Sequence, residues 1–147
     1  MSDTLQKALE FAIAKEKEAE AFYKEWAEKA TDATVKALFA EMAATEHGHM
    51  EMLLRVTPAD MVGGEETRVE DLNLSDFIAE VEAAPNLNLQ QAMIVAMKRE
   101  EAAAALYERL AAVGGETKSL FEALANEERK HKLQIETEYD EHILTEN

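Results

Sequence analysis

One arrangement of ionisable residues occurs twice in this chain, and each time it interrupts an otherwise apolar helical stripe. The first copy is Glu16 followed by Glu46-x-x-His49. The second is Glu100 followed by Glu128-x-x-His131. The lone glutamate precedes the paired one by 30 residues in the first half and by 28 in the second. Four carboxylates and two imidazoles in this pattern, one Glu from each of two helices and a Glu-x-x-His from each of the other two, are a ligand set for two metal ions inside a four-helix bundle.

The surrounding residues give the pattern its specificity. A 3–4 spacing picks out Leu5, Leu9, Ala12, Glu16, Ala19, Tyr23, Trp26 and Ala30. The second stripe is Val35, Phe39, Met42, Glu46, His49, Leu53 and Val56. The third is Leu89, Met93, Ala96, Glu100, Ala103, Tyr107 and Leu110, and the fourth is Phe121, Leu124, Glu128, His131 and Ile135. Such spacing predicts one inward face per helix. A carboxylate on that face is costly unless it is protonated, paired or bound to a cation. Four at one level also repel one another, and two divalent cations cancel their charge. Taken singly, a Glu-x-x-His is more often part of a solvated face, and a lone Glu in an apolar stripe more often marks a misjudged boundary. Neither reading accounts for two copies in register.

The rest of the sequence agrees with an all-α chain. It has two prolines, five glycines and 47% hydrophobic residues, enough to fill the core of one domain spanning 1–147. Asp3 or Thr4 is expected to cap a first helix reaching about Ala30, and the polar break at Thr31, Asp32 and Thr34 starts a second, from about Ala33 to Val56. Thr57-Pro58 closes it. Residues 57–87 then carry Gly63-Gly64, an acidic stretch and Pro85, with a short helix expected over Ser75–Ala83. A connection this long is best explained as a crossover that returns the chain along the bundle. The third helix is expected from about Asn88 to Val113, with Gly114-Gly115 as the break, and the fourth from about Thr117 to near Ile143. The expected fold is two antiparallel helix hairpins joined by one long crossover.

The formal net charge of −16 argues against nucleic acid and against an anionic membrane surface as partners. Two divalent cations bound to the chain reduce it only to −12. No apolar run approaches the roughly 18 residues of a membrane span. The N-terminus leads straight into an amphipathic pattern rather than a signal peptide, so a cytoplasmic location is the expectation. Cysteine is absent, which excludes disulfides, iron–sulfur clusters and thiolate zinc sites within these residues.

The segment Ala14-Lys-Glu16-Lys-Glu-Ala-Glu-Ala-Phe-Tyr23 with Glu46-x-x-His49 resembles the first half of a rubrerythrin. Glu100-Glu-Ala-Ala-Ala-Ala-Leu-Tyr107 with Glu128-x-x-His131 resembles the second, and the likeness runs from about Leu5 to Ile143. The resemblance implies a ferritin-like bundle holding two iron ions, with manganese or zinc as substitutes, that reduces hydrogen peroxide or reacts with oxygen. It implies Glu46 and Glu128 as bridging carboxylates, Glu16 and Glu100 as terminal or semi-bridging ligands, and one of His49 and His131 on each metal. The internal symmetry of the two halves makes a homodimer an expectation. Two features depart from the family. No four-cysteine rubredoxin segment is present, so the implied electron donor is external, such as a rubredoxin-like protein. The family's extra glutamate one turn after the lone Glu of the third helix is Ala103 here, which is closer to a simpler oxidase, ferroxidase or single-domain pattern. Iron binding or storage without turnover is the alternative expectation, and a helical interaction module with a vestigial site is a third.

Carboxylates with two imidazoles suit iron, manganese or zinc. Ala19 and Ala103 leave room for a diatomic ligand, or else permit close helix packing. Tyr23 and Tyr107 each follow a lone Glu by seven residues, where a phenol can hydrogen-bond a ligating carboxylate or simply fill the core. Trp26 is expected in the core. His47 projects about 100° from Glu46 around the helix and is expected at the surface, as is His142. Glu18, Glu20, Glu51, Glu101 and Glu127 fit a solvated face.

Overall fold

The computed structural model of the chain describes residues 2–61 and 87–141. Those residues form five helices and no strand: α1 (Ser2–Lys29), α2 (Ala33–Leu54), α3 (Pro58–Met61), α4 (Leu89–Val113) and α5 (Lys118–Tyr139). The four long helices make an all-α bundle of two hairpins, α1 against α2 and α4 against α5. The expected short helix over Ser75–Ala83, together with Gly63, Gly64, Pro85 and His142, lies outside the described residues.

Local chemistry sets the helix ends. Asp32 caps α2 by accepting a 3.0 Å hydrogen bond from the Val35 amide, which turns the chain between α1 and α2 in three residues. Asn88 and Gln91 form a reciprocal capping box at the start of α4, with bonds of 2.8 and 2.9 Å. Helix α1 begins at Ser2, so Asp3 and Thr4 lie inside it rather than capping it. Helix α2 ends at Leu54, short of Val56, because the Arg55 and Val56 amides turn back to Met52 and Leu53, three residues earlier, and tighten the last turn. The regular part of α5 stops at Tyr139, where Asp140 and Glu141 widen into a π turn.

Pro58 does more than close α2: it opens the single-turn α3. Proline is well suited to a first helical position, where its missing N–H has no partner to lose. The Thr57 amide and hydroxyl both donate to the Asp60 carboxylate at 3.0 Å. The turn after α4 holds this piece down. Gly114 and Gly115 have φ of 92° and 78°, and a Cβ on Gly115 would lie 2.6 Å from the Asp60 carbonyl oxygen. The Glu116 amide donates to that same oxygen at 2.9 Å.

The inward stripes meet in two apolar clusters. One joins Leu5, Leu9, Leu53, Met61, Tyr107, Leu110, Phe121 and Leu124. The other joins Tyr23, Trp26, Val35, Phe39, Met93, Ala96 and Ile135. The start of α1 therefore packs against the end of α4, and the start of α4 against the end of α1, so these two helices run antiparallel. Met61 packs in one cluster and Leu87 against the other, and the long connection links opposite ends of the bundle. Between the clusters lies a layer of Glu16, Glu46, His49, Glu100, Glu128 and His131.

Candidate metal centre

All six side chains of that layer are buried, none more than 6% exposed. The structure brings every one of them together. Glu16, Glu46, His49 and Glu128 each offer a ligand atom within 4.8 Å of the others, and so do Glu46, Glu100, Glu128 and His131. Glu46 and Glu128 belong to both groups. Each imidazole crosses to the opposite hairpin: His49 Nδ1 lies 2.8 Å from Glu128 Oε1, and His131 Nδ1 lies 3.0 Å from Glu46 Oε1. The two rings stack at 15° with centroids 6.3 Å apart.

The tyrosines cross as well. Tyr23 of α1 donates its hydroxyl to Glu100 of α4 at 2.5 Å, and Tyr107 of α4 donates to Glu16 of α1. Helical side chains lean toward their own N-terminus. Glu16 therefore leans toward the cluster that contains Tyr107, and Glu100 leans toward the one that contains Tyr23. With α1 and α4 antiparallel, cross-pairing follows from the lean. Each phenol ring stacks on a phenylalanine seven residues before a paired glutamate, Tyr23 on Phe39 at 5.7 Å and Tyr107 on Phe121 at 6.1 Å. The whole arrangement repeats between the halves with approximate twofold symmetry.

Taken by themselves, the side chains hold their protons unevenly. Burial, and then Glu16 and Glu100 nearby, push the Glu46 carboxyl well above the ordinary carboxylate range. Burial and the Glu100 charge do the same to Glu128. Burial also acts to raise Glu16, but hydrogen bonding with Glu46 and His49, the His49 charge and the Tyr107 phenol outweigh it, and Glu16 lies below its usual value. Burial acts to lower His131, yet Glu100 outweighs it and the imidazole is raised. Both phenols are pushed up, first by burial and then by the carboxylates they face, and they keep their protons. The two shared carboxylates thus retain protons where a cation would otherwise balance their charge. One oxygen each on Glu16 and Glu100, the Oε2 atoms, is buried without a hydrogen-bond partner among the described residues. A buried carboxylate oxygen left unpaired is costly in a protein interior, and a divalent cation is a partner of the right charge and hardness. The residues fit a metal pair.

A rubrerythrin family model matches residues 7–139. The chain belongs to the rubrerythrin family. Among curated proteins and among solved structures, nothing matches it. Membership in this family and the buried Glu/His cluster fit a di-iron protein.

The remaining sequence expectations for this rubrerythrin sort by environment. Trp26 is in the core at 5% exposure. His47 is at the surface, between Glu20 at 3.0 Å and Glu51 at 2.7 Å, and those two carboxylates, Glu20 foremost, raise it. Glu18 pairs with Lys15, Glu20 with Lys24, and Glu101 with Lys132 across to α5. Ala19 and Ala103 do not close the helix interface. They line a cavity of about 240 Å³ that reaches Glu16, Glu46, Glu100 and Glu128 and also has Lys15, Glu18 and Arg99 in its wall. The sequence carries no periodic signal for that cavity, since Lys15 and Arg99 each sit one residue off the inward stripe.

Proposed function

We propose that the six residues hold two iron ions and that the chain is an oxidoreductase that reduces hydrogen peroxide or reacts with oxygen. Glu46 and Glu128, common to both ligand groups, would be shared by the two ions. Glu16 and His49 complete one ion's ligands, and Glu100 and His131 complete the other's. The observation that carries this reading is the overlap of two four-residue ligand groups on the same two glutamates. Manganese or zinc can substitute in such a donor set. When bound, a pair of ferrous ions supplies the two electrons that cleave an O–O bond.

The chain's own residues set the conditions for that chemistry. Tyr23 and Tyr107 fix the rotamers of Glu100 and Glu16 through charge-assisted hydrogen bonds, so the terminal carboxylates are oriented before metal arrives. The stacked Phe39 and Phe121 hold the phenols in turn. The apolar clusters on either side keep bulk water from the layer, and the cavity between α1 and α4 is the route by which a small oxidant enters. Electrons come from a donor outside these 147 residues.

Anaerobic loading with Fe(II) followed by H₂O₂ tests the proposal. Uptake of two irons per chain, and oxidation of bound iron faster than of free Fe(II), is the expected result. Slower oxidation than in free solution overturns the peroxide reading. Uptake well beyond two per chain turns the assignment to iron storage.

A further inference from the structure

The cavity between α1 and α4 is larger than the proposed oxidants need. Its volume is about 240 Å³. A dry cavity of about 150 Å³ accommodates benzene, and one water occupies about 30 Å³ of liquid. Because Glu16, Glu46, Glu100 and Glu128 line the α1–α4 cavity, its volume includes the space of the ions themselves, and it sets an upper limit of roughly eight heavy atoms for a molecule beside the metal layer. The walls are of two kinds. Ala19, Ala103 and Leu106 give an apolar surface beside the carboxylates of the layer, and Lys15, Glu18 and Arg99 are the other charged groups of the wall.

The two cations are not equivalent. Lys15 is already paired with Glu18 at 3.1 Å. Arg99 is half-buried, its guanidinium held 4.9 Å above the Phe22 ring centroid, and it forms no ion pair with any described residue. The contact with the Phe22 ring holds the guanidinium in place while leaving N–H donors available. An ordered, partly desolvated guanidinium is suited to bidentate recognition of a carboxylate.

We propose that this cleft binds a small organic monocarboxylate of about six carbons, with its head at Arg99 and its apolar body along Ala19, Ala103 and Leu106. The inference rests on the two-metal reading, because without bound cations the glutamate layer leaves net negative charge facing the cleft.

The test uses the full chain loaded with Zn(II), which is redox-inert, with metal content measured by elemental analysis and hexanoate binding by calorimetry. Hexanoate is expected to bind at least tenfold more tightly than acetate, and hexylammonium not to compete. Arg99→Gln should weaken hexanoate at least tenfold while leaving zinc content unchanged, with Arg99→Lys recovering part of the loss. Ala103→Leu should exclude hexanoate and spare acetate. Equal binding of acetate and hexanoate, or no effect of Arg99→Gln, overturns this inference while the metal reading stands. Failure to take up two zinc ions overturns both.

Discussion

The two ends of the bundle and its middle obey opposite rules. At the ends, residues such as Phe39, Val35 and Met93, or Leu53, Leu110 and Phe121, are fully buried with no polar atom to satisfy. Their stability comes from removing apolar surface from water, and it needs nothing from outside the chain. In the middle, four carboxylates and two imidazoles occupy similarly buried positions, with two carboxylate oxygens lacking a hydrogen-bond partner and two carboxyls held in their protonated form. Local physics disfavours that layer unless cations complete it. The ends hold the bundle together, and the excess stability they provide lets the middle remain assembled in a form suited to metal.

Experiments that probe the two regions should therefore diverge. The largest effect is expected at the ends: Leu110→Ala should destabilise the fold by about 2–5 kcal/mol, equally with and without metal, in denaturant melts. Metal-dependent destabilisation there would erase the distinction. Next comes the middle. Metal at a hundredfold excess over its Kd should add about 2.7 kcal/mol per site. Glu128→Gln should abolish that gain for both sites, because Glu128 belongs to both ligand groups, whereas Glu16→Gln should affect one. Full metal stoichiometry in Glu128→Gln would contradict the sharing.

A smaller contrast lies in the pH dependence of metal-free protein. Glu46 and Glu128 are raised in the folded chain, so between their ordinary value of 4.5 and their raised folded values the native state binds more protons than the unfolded state. Stability should then fall as pH rises through that window. His131, also raised, contributes in the same direction: its stabilisation is present below 6.5 and lost above. Glu16 is lowered and opposes the trend, with stability present above 4.5 and lost below its folded value. That opposition is confined to pH below 4.5, so the raised groups set the slope above it, and the melting temperature of metal-free protein should be several degrees higher at pH 5 than at pH 8. Metal loading should flatten or reverse the slope.

The smallest predicted effect sharpens the boundary of the site. Gly48 sits between Glu46 and His49, yet a Cβ there would meet nothing within 4 Å. Gly48→Ala should stabilise α2 by roughly 0.5–1 kcal/mol and leave metal content unchanged. A loss of metal would mean that the backbone at Gly48 serves the site.

Much of this was readable from residue order. The stripes through Glu16, Glu46, Glu100 and Glu128 place the six side chains inward, and the Asp32 and Asn88 signals mark helix starts to within a residue. Other features were less legible. The turn at Pro58 reads as a stop signal, and its role as the start of α3 depends on Asp60 meeting Gly115 and Glu116 from the far end of α4. The partners of Tyr23 and Tyr107 could have been anticipated from the lean of helical side chains once α1 and α4 were taken as antiparallel. The α1–α4 cavity could not, because the openness of a helix pair depends on how closely two axes approach.

Helical periodicity determined which face of each segment turns inward and which six residues it carries, because a fixed angle per residue sorts side chains around a single axis. Only the packing of four axes decided the rest: that each histidine and each tyrosine reaches a glutamate on the opposite hairpin, that two glutamates are common to both ligand groups, and that a charged cleft opens beside them. Periodicity describes a helix about itself, whereas partnership depends on the distance, direction and level of its neighbours.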